Sequence, residues 1–324
     1  MYQKNARHRL IYIALFGAVT TILVFINIFY RQNIWSGQAK ELQQVVLNIR
    51  LTRTLTCVLA GAGLGLAGLC MQNMLKNPIA TPFTLGLSSA ANFGASLSIV
   101  SGFPFIFSAY GVQISAVVSC FIAGGVILVI FSTRQVSMNT MILIGVTINL
   151  FFTSLQQLLQ YFSSEREVQR MATWSLGDLS RSSWESVLVI GVVLYVVAII
   201  VYQQAWGMNL LLLSDETALA MGVNVKRVRL LIFFSSALVT AVVVSFVGTI
   251  GFVGLIAPHL VRLVLGADSR FTITGSLIVG ALVLVLADLL SQFILPGTII
   301  PAGIITSLVG LPFMCLVVLK KGRV

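Results

Sequence analysis

Residues 210–229 read LLLLSDETALAMGVNVKRVR, a polar insert between two long apolar runs of the chain. Ser214 can cap a short helix, because a serine side chain accepts a hydrogen bond from the free amides of the first turn. Asp215 and Glu216 follow in that turn, where negative charge suits the helix dipole. Gly222 stands where this helix would end, and Asn224 can cap the next one. The pattern predicts a short surface helix at the edge of a membrane.

The composition of the rest of the chain indicates an integral membrane protein. Of the 324 residues, 58% are hydrophobic and 9% are charged, whereas a soluble domain carries about a quarter charged residues. The apolar runs are near 20 residues long, which favours helices over barrel strands of about ten alternating residues. The net charge of +11 comes from basic residues between these runs, where they set orientation and do not indicate nucleic-acid binding.

We expect an all-α integral membrane protein, a single transmembrane domain over residues 1–324 with about ten transmembrane helices. The expected spans are about 10–30, 55–74, 89–100, 112–131, 140–162, 186–203, 230–249, 251–265, 271–293 and a last one ending near 319. The first span is expected to be retained and not cleaved as a signal. Pro78 should break the second span, Pro258 should interrupt the eighth, and Pro296 and Pro301 should precede the last.

The basic residues predict the orientation of these spans. Ten spans place both termini on one side, and 7 of the 20 Lys and Arg residues then lie on the other side. These seven are Arg31, Lys40, Arg50, Arg53, Arg166, Arg170 and Arg181. The remaining thirteen, on the side of the termini, identify it as the cytoplasmic side under the positive-inside rule. The polar insert is therefore expected in the cytoplasm.

A glycine stripe in the second span predicts close helix packing. The spacing of Gly63, Gly65 and Gly68 matches a dinucleotide fingerprint, but no strand precedes it and no acidic residue follows at the required distance. We reject nucleotide binding there. Gly61, Gly65 and Gly68 instead lie on one helix face, and Gln72 continues that face and could donate or accept a hydrogen bond across the interface.

Few residues could carry chemistry. The chain has no P-loop motif, and its cysteines (Cys57, Cys70, Cys120 and Cys315) lie inside apolar runs without a CxxC pair, so we expect no metal site and no bound cofactor. Asp288 is the one acid deep in a span, and it should have a partner or face a water-filled cavity. Arg50 and Arg53 share a helix face on the outer side, which indicates either snorkelling or docking of an acidic partner.

Several blocks in order along the chain resemble the FecCD family of ABC-transporter permeases, which import ferric siderophores, haem and cobalamin. The blocks are RLTRTL at 50–55, GAGLGLAGLCMQ at 61–72, NPIATP at 77–82, LG at 85–86, LSDETA at 213–218, MG at 221–222, GFVGLIAPHLVR at 251–262, PAG at 301–303 and GLPF at 310–313.

The resemblance implies ten helices per subunit and a pathway enclosed by two permease subunits, which form a homodimer or a heterodimer. It implies that a cytoplasmic ATPase, one of two that bind ATP and Mg²⁺, docks on the loop at about residues 204–229. The implied contact residues are Ser214, Asp215, Glu216, Thr217, Ala218, Ala220, Met221 and Gly222.

The resemblance also implies sites elsewhere in the chain. Glutamates of an extracytoplasmic substrate-binding protein would meet Arg50 and Arg53, while a further arginine of the cobalamin permease is matched here by Gln292. The cytoplasmic gate would correspond to Ser137, Met138 and Asn139. The polar and helix-breaking residues expected within the membrane are Gln72, Asn77, Pro78, Pro258, His259 and Asp288.

The sequence therefore predicts the permease subunit of an ATP-driven importer in a bacterial inner membrane, with a ferric siderophore as cargo. Haem and cobalamin are alternative cargoes. A secondary transporter driven by an ion gradient also fits the broken helices at Pro78 and Pro296, although Asp288 is nearly the only acid inside a span. An intramembrane enzyme would have to use His259 and Asp288.

Overall fold

Helices make up all the regular secondary structure in the residues that the computed structural model describes, which are 2–29, 46–102, 110–133, 137–294 and 299–321. The α-helices in these ranges are α1 (Tyr2–Phe29), α2 (Leu51–Met74), α3 (Leu87–Ser101), α4 (Gly111–Thr133), α5 (Met138–Phe162), α6 (Glu165–Ser175), α7 (Trp184–Gln203), α8 (Ala205–Leu211), α9 (Asp215–Ala220), α10 (Val225–Val247), α11 (Val253–Leu265), α12 (Ser269–Phe293) and α13 (Ala302–Lys321). A π-helical turn over Val46–Arg50 leads into α2, and a 3₁₀ turn over Leu179–Arg181 precedes α7.

Each of the ten predicted spans coincides with one helix of the described ranges, namely α1 to α5, α7 and α10 to α13. Seven of these helices are long and apolar enough to cross a membrane: α1, α2 with its preceding turn, α4, α5, α7, α10 and α12. Of the other three, α3 has 15 residues and α11 has 13, and α13 is not among the seven. The all-helical, multi-pass architecture is confirmed, and the count of ten spans stays a prediction.

Helix α2 lies at the centre of the bundle and packs against α12, α10, α11 and α7. Its glycine stripe explains how these neighbours come so close. A Cβ atom on Gly65 would lie 2.3 Å from the carbonyl oxygen of Ser276, and one on Gly61 would lie 2.5 Å from that of Gly280. Both distances are below van der Waals contact, so the predicted role of the stripe in close packing is confirmed.

Pro258 does not interrupt its helix as the sequence predicts, because α11 runs without a break from Val253 to Leu265. A proline within a helix has no N–H, so the carbonyl four residues earlier, that of Gly254, loses its partner within the helix. This carbonyl faces Gly68, where an added Cβ would lie 1.6 Å from the oxygen. The proline therefore coincides with the closest approach of α11 to α2.

The break after α2 is as predicted. Lys76 has a φ of +48°, and the side-chain oxygen of Asn77 accepts a hydrogen bond from the amide of Ile79 at 2.9 Å. Irregular backbone then continues through Pro82 to Gly86, whose φ of +76° precedes the start of α3. The predicted break at Pro296 lies outside the described residues.

Candidate functional sites

The polar insert forms the short helix α9, which we call the coupling helix (Asp215–Ala220). The hydroxyl of Ser214 accepts a hydrogen bond from the amide of Thr217 at 3.0 Å, so Ser214 is the N-cap. The segment after the helix turns at Gly222, which has a φ of +81°. Asn224 then caps α10 by accepting a hydrogen bond from the amide of Arg227 at 3.0 Å. All three local predictions for this segment are confirmed.

Asp215 fastens the coupling helix to two longer helices. Its carboxylate accepts hydrogen bonds from both terminal nitrogens of Arg229 on α10, each at 2.8 Å. Lys76, just after α2, lies 3.2 Å from the same carboxylate and also donates to the carbonyl of Leu213 at 2.8 Å. Because Arg229 is only 5% exposed, the anchor on α10 is a buried cation.

The charge of Asp215 is secured by this arrangement. Partial burial alone would raise the pKa of Asp215, but the hydrogen bonds and positive charges of Arg229 and Lys76 outweigh it and hold the pKa below its ordinary value. The carboxylate is therefore ionised at neutral pH, and the link between the coupling helix and α10 is a charge-assisted, bidentate one.

The remaining residues of the coupling helix divide into inward and outward sets. Ala218 is fully buried and packs against the bundle, whereas Glu216 and Met221 are exposed. Leu219 is also on the outer side, 60% exposed although its side chain is apolar.

The structure places the predicted gate beside the coupling helix. An open groove of about 1090 Å³ is lined by Ser137 and Met138 at the start of α5 and by Ser214, Asp215 and Leu219 on the other side. Ser137 caps α5 by accepting a hydrogen bond from the amide of Thr140 at 3.2 Å. Asn139 is exposed nearby. The predicted gate residues Ser137 and Met138 and the coupling helix therefore line the same groove.

A buried ion pair lies at the opposite end of the bundle. Asp288 on α12 is completely buried, and its carboxylate accepts a hydrogen bond from Nε of Arg53 at 3.1 Å. The side-chain amides of Asn27 and Gln292 each donate to the same carboxylate at 3.0 Å. The expectation that Asp288 has a partner is confirmed, and Gln292 joins this network.

This network separates the two arginines that the sequence grouped together. Arg53 is 9% exposed, while Arg50 is half-buried and its guanidinium lies 3.5 Å from the carbonyl of Ile28. Docking of an external protein through these residues stays a prediction. For Arg53 it would require the ion pair with Asp288 to open.

Gln72 makes the predicted contacts between helices. Its side-chain oxygen accepts a hydrogen bond from Arg262 of α11 at 2.7 Å, and its side-chain nitrogen lies 3.5 Å from the carbonyl of Leu255. Arg262 also donates to Asn73 at 2.8 Å. Arg262 was counted only among the thirteen basic residues on the side of the termini, so this link between α2 and α11 was missed.

The two residues of the enzyme hypothesis have different neighbours. The ring of His259 lies edge-on to that of Phe313, with 5.8 Å between centroids. The Asp288 carboxylate accepts hydrogen bonds from Arg53, Asn27 and Gln292. The described residues also contain no group of three His, Cys, Asp or Glu side chains that could hold a metal ion.

Comparison with known proteins agrees with this architecture. The chain is 31% identical over 293 residues to the hemin transport system permease protein HmuU of Yersinia pestis, covering 90% of this chain and 88% of the relative. It is 35% identical over 283 residues to the molybdate import system permease protein MolB of Haemophilus influenzae, covering 87% and 82%.

A solved structure described as an inward-facing ABC transporter of the metal-chelate type superposes with a TM-score of 0.85 at 32% identity, covering 96% of this chain and 98% of that one. The model of the FecCD transport family matches residues 9–320. This span includes the coupling helix, the glycine stripe and the buried ion pair. The chain belongs to the FecCD transport family and is a multi-pass ABC transporter permease.

Proposed function

We propose that this chain is the permease subunit of an ATP-driven importer of ferric siderophores in the bacterial cytoplasmic membrane. It would pair with a second permease subunit, two ATPase subunits that bind ATP and Mg²⁺, and an extracytoplasmic substrate-binding protein. The observation that carries the proposal is the exposed coupling helix of a family permease, fastened to α10 and to the end of α2 through Asp215. A fastened helix can pass a push from a soluble partner to the spans, which a loose loop cannot.

In this scheme ten spans place both termini and the coupling helix in the cytoplasm. The ATPase contacts the exposed face, Glu216, Leu219 and Met221, and the Asp215 ion pairs carry its movement to α10. Ser137 and Met138 at the start of α5 line the groove beside the coupling helix, so the same movement changes the shape of the groove next to them. The permease then exchanges outward- and inward-facing states, whose populations the nucleotide on the ATPase sets.

The contact face can be tested directly. Replacing Glu216 and Met221 by alanine should lower co-purification of the cognate ATPase by on the order of tenfold, since it removes a charge and an apolar contact from the interface. Glu165→Ala, an exposed acid in α6 at the other end of the bundle, is the matched control and should bind the ATPase normally. The coupling assignment is wrong if the double variant binds the ATPase and transports as the wild type does.

The cargo needs a separate experiment, because the relatives are described as carrying hemin, molybdate or a metal chelate. Support for a siderophore comes from the metal-chelate transporter, which matches nearly the whole chain. Haem and cobalamin are the alternatives. Proteoliposomes containing the complete complex and ATP should take up a ferric siderophore presented by its binding protein. Haemin uptake instead would identify the alternative, and uptake without any ATPase would overturn the ATP-driven mechanism.

A further inference from the structure

A cleft at the end of the bundle opposite the coupling helix takes no part in the partner surfaces described above. We call it the polar cleft. It has a volume of about 740 Å³, and its charged lining residues are Arg170 of α6, Arg181 of the 3₁₀ turn and Glu185 at the start of α7. The neighbouring Ser180 lies 3.5 Å from Arg53, which places the cleft at the same end as the Asp288 network.

The polar cleft continues into an apolar groove of about 510 Å³ between α4, α7 and α10. The two share five lining residues, namely Tyr110, Gln113, Glu185, Ser245 and Phe246. Beyond these, the groove is lined by apolar side chains such as Val118 of α4 and Leu188 of α7. The polar cleft therefore opens into the apolar groove, which lies on the side of the bundle.

The open side of this groove is formed by exposed apolar side chains. Val118 is 50% exposed and Leu188 is 65% exposed, and both belong to helices long and apolar enough to span. Large apolar side chains exposed on a spanning helix are in contact with lipid when nothing else covers them. The groove is thus open to acyl chains.

Two aromatic residues indicate the depth of the polar cleft in the membrane. Trp184 and Tyr110 are each more than one-third exposed. Trp184 is the first residue of α7, and Tyr110 directly precedes α4. Tryptophan and tyrosine collect at the level of the lipid head groups, because one part of the ring system is apolar and the other can hydrogen-bond. Arg170 and Arg181 therefore lie at head-group level.

The charges of the polar cleft favour an anionic ligand. Neither Arg170 nor Arg181 makes an ion pair within 4.0 Å with another residue of the described ranges, although Arg170 attracts the Glu167 carboxylate, three residues earlier on α6, at longer range. Glu185 is engaged by the hydroxyl of Tyr110, whose pKa that hydrogen bond raises. Two guanidinium groups at the mouth of an apolar slot match a phosphate diester with attached acyl chains, since arginine binds phosphate through paired N–H donors.

We propose that the polar cleft and the apolar groove together bind one membrane glycerophospholipid. Its phosphate contacts Arg170 and Arg181, and one of its acyl chains lies in the groove beside Val118 and Leu188. Bound in this way, the lipid joins α6 to the faces of α4 and α7. The proposal does not depend on the cargo or on the ATPase.

The head-group contact is tested on the purified full-length chain, stripped of lipid in detergent and titrated with phosphatidylglycerol under native mass spectrometry. Arg170→Gln/Arg181→Gln should weaken the tightest lipid adduct by on the order of tenfold, since each charge-assisted contact is a substantial part of such binding. Arg166→Gln is the matched control, one turn away on α6 and outside the cleft lining, and should leave the affinity unchanged.

Glu185→Gln tests whether the polar cleft binds an anion or a cation. It removes a negative charge from the cleft, so the affinity for phosphatidylglycerol should stay equal or rise, whereas a cation site would lose its ligand. If Arg166→Gln lowers the affinity for phosphatidylglycerol as much as the double variant does, the lipid is held only by general attraction to positive charge. That result would overturn the proposal. Weaker binding in Glu185→Gln would overturn it as well.

The contact with the acyl chain is tested by a separate variant. Val118→Trp places a large side chain into the groove from an exposed position and should weaken the phosphatidylglycerol adduct, because chain and indole compete for the same space. Inorganic phosphate at millimolar concentration should not displace the lipid. If phosphate displaces it, or if diacylglycerol binds as tightly as phosphatidylglycerol, the site does not recognise a phospholipid as a whole.

Discussion

Asp288 shows what a single carboxylate requires inside an apolar bundle. A buried charge is tolerated when it is paired and its remaining lone pairs are hydrogen-bonded. Arg53 supplies the opposite charge, and Asn27 and Gln292 supply two more donors. The sequence predicted that this acid needs a partner, because an acid deep in a span is rarely alone. The sequence did not indicate which residue this partner is, because Arg53 precedes Asp288 by 235 positions. The pattern around Arg53 was equally consistent with a docking residue.

The pair gives a prediction about stability. Asp288→Asn should destabilise the folded chain by about 3–5 kcal/mol, because it leaves the buried guanidinium of Arg53 without a counter-charge. The measurement is thermal unfolding of the purified protein in detergent. Glu165→Gln, an exposed acid, is the control and should leave the melting temperature nearly unchanged.

The double variant Arg53→Met/Asp288→Leu should recover most of that loss, because replacing both charges by apolar groups removes the desolvation penalty together with the attraction. A double variant as unstable as Asp288→Asn alone would contradict this account. The same variant, if folded, tests docking by Arg53, since its affinity for the binding protein would then fall without a change in stability.

Among the helices, α2 and α11 show how a helix pair is specified. The spacing of Gly61, Gly65 and Gly68 was sufficient to predict that α2 packs closely along one face. The partner was not predictable, because the carbonyl that approaches Gly68 belongs to Gly254 and is left without a helical partner by Pro258. Sequence rules treat Pro258 as a helix breaker, whereas packing against α2 keeps α11 continuous.

Gly68→Ala should therefore be costly. The new methyl group would lie 1.6 Å from the Gly254 oxygen, so α2 and α11 would have to separate, and overpacking of this kind costs about 1–3 kcal/mol or more. Gly125→Ala in α4 is the matched control, because nothing lies within 4 Å of its Cβ position. It should be neutral or stabilising, since alanine is the better helix former.

Thermal unfolding of both variants in the same detergent gives the comparison. A lower melting temperature for Gly68→Ala and an unchanged or higher one for Gly125→Ala is expected. Equal behaviour of the two variants would mean that the contact between α2 and α11 is loose enough to accept a methyl group.

For the molecule as a whole, hydropathy predicted where the helices lie but not how they are arranged. Helices α2 and α5 are both apolar enough to span, yet most of α2 is buried and most of α5 is exposed. In a soluble protein, apolar residues mark the core. In a membrane protein the lipid tails are as apolar as the core, so the sequences of a buried helix and a lipid-facing helix have similar hydropathy. The polar insert was predictable because Ser214, Gly222 and Asn224 act locally. Its link to Lys76 and Arg229 depended on the tertiary fold.

The orientation of the whole chain rests on the distribution of Lys and Arg, thirteen of the 20 on the side of the termini, and it predicts opposite accessibility for two exposed residues. In a variant without its four cysteines, the thiol of Arg166→Cys should react with a membrane-impermeant maleimide on intact cells. The thiol of Glu216→Cys should react only after the membrane is permeabilised. Both native residues, Arg166 and Glu216, are exposed, so a lack of labelling reports the membrane and not burial in the protein. Labelling of position 216 in intact cells would reverse the orientation and place the coupling helix where no cytoplasmic ATPase could reach it.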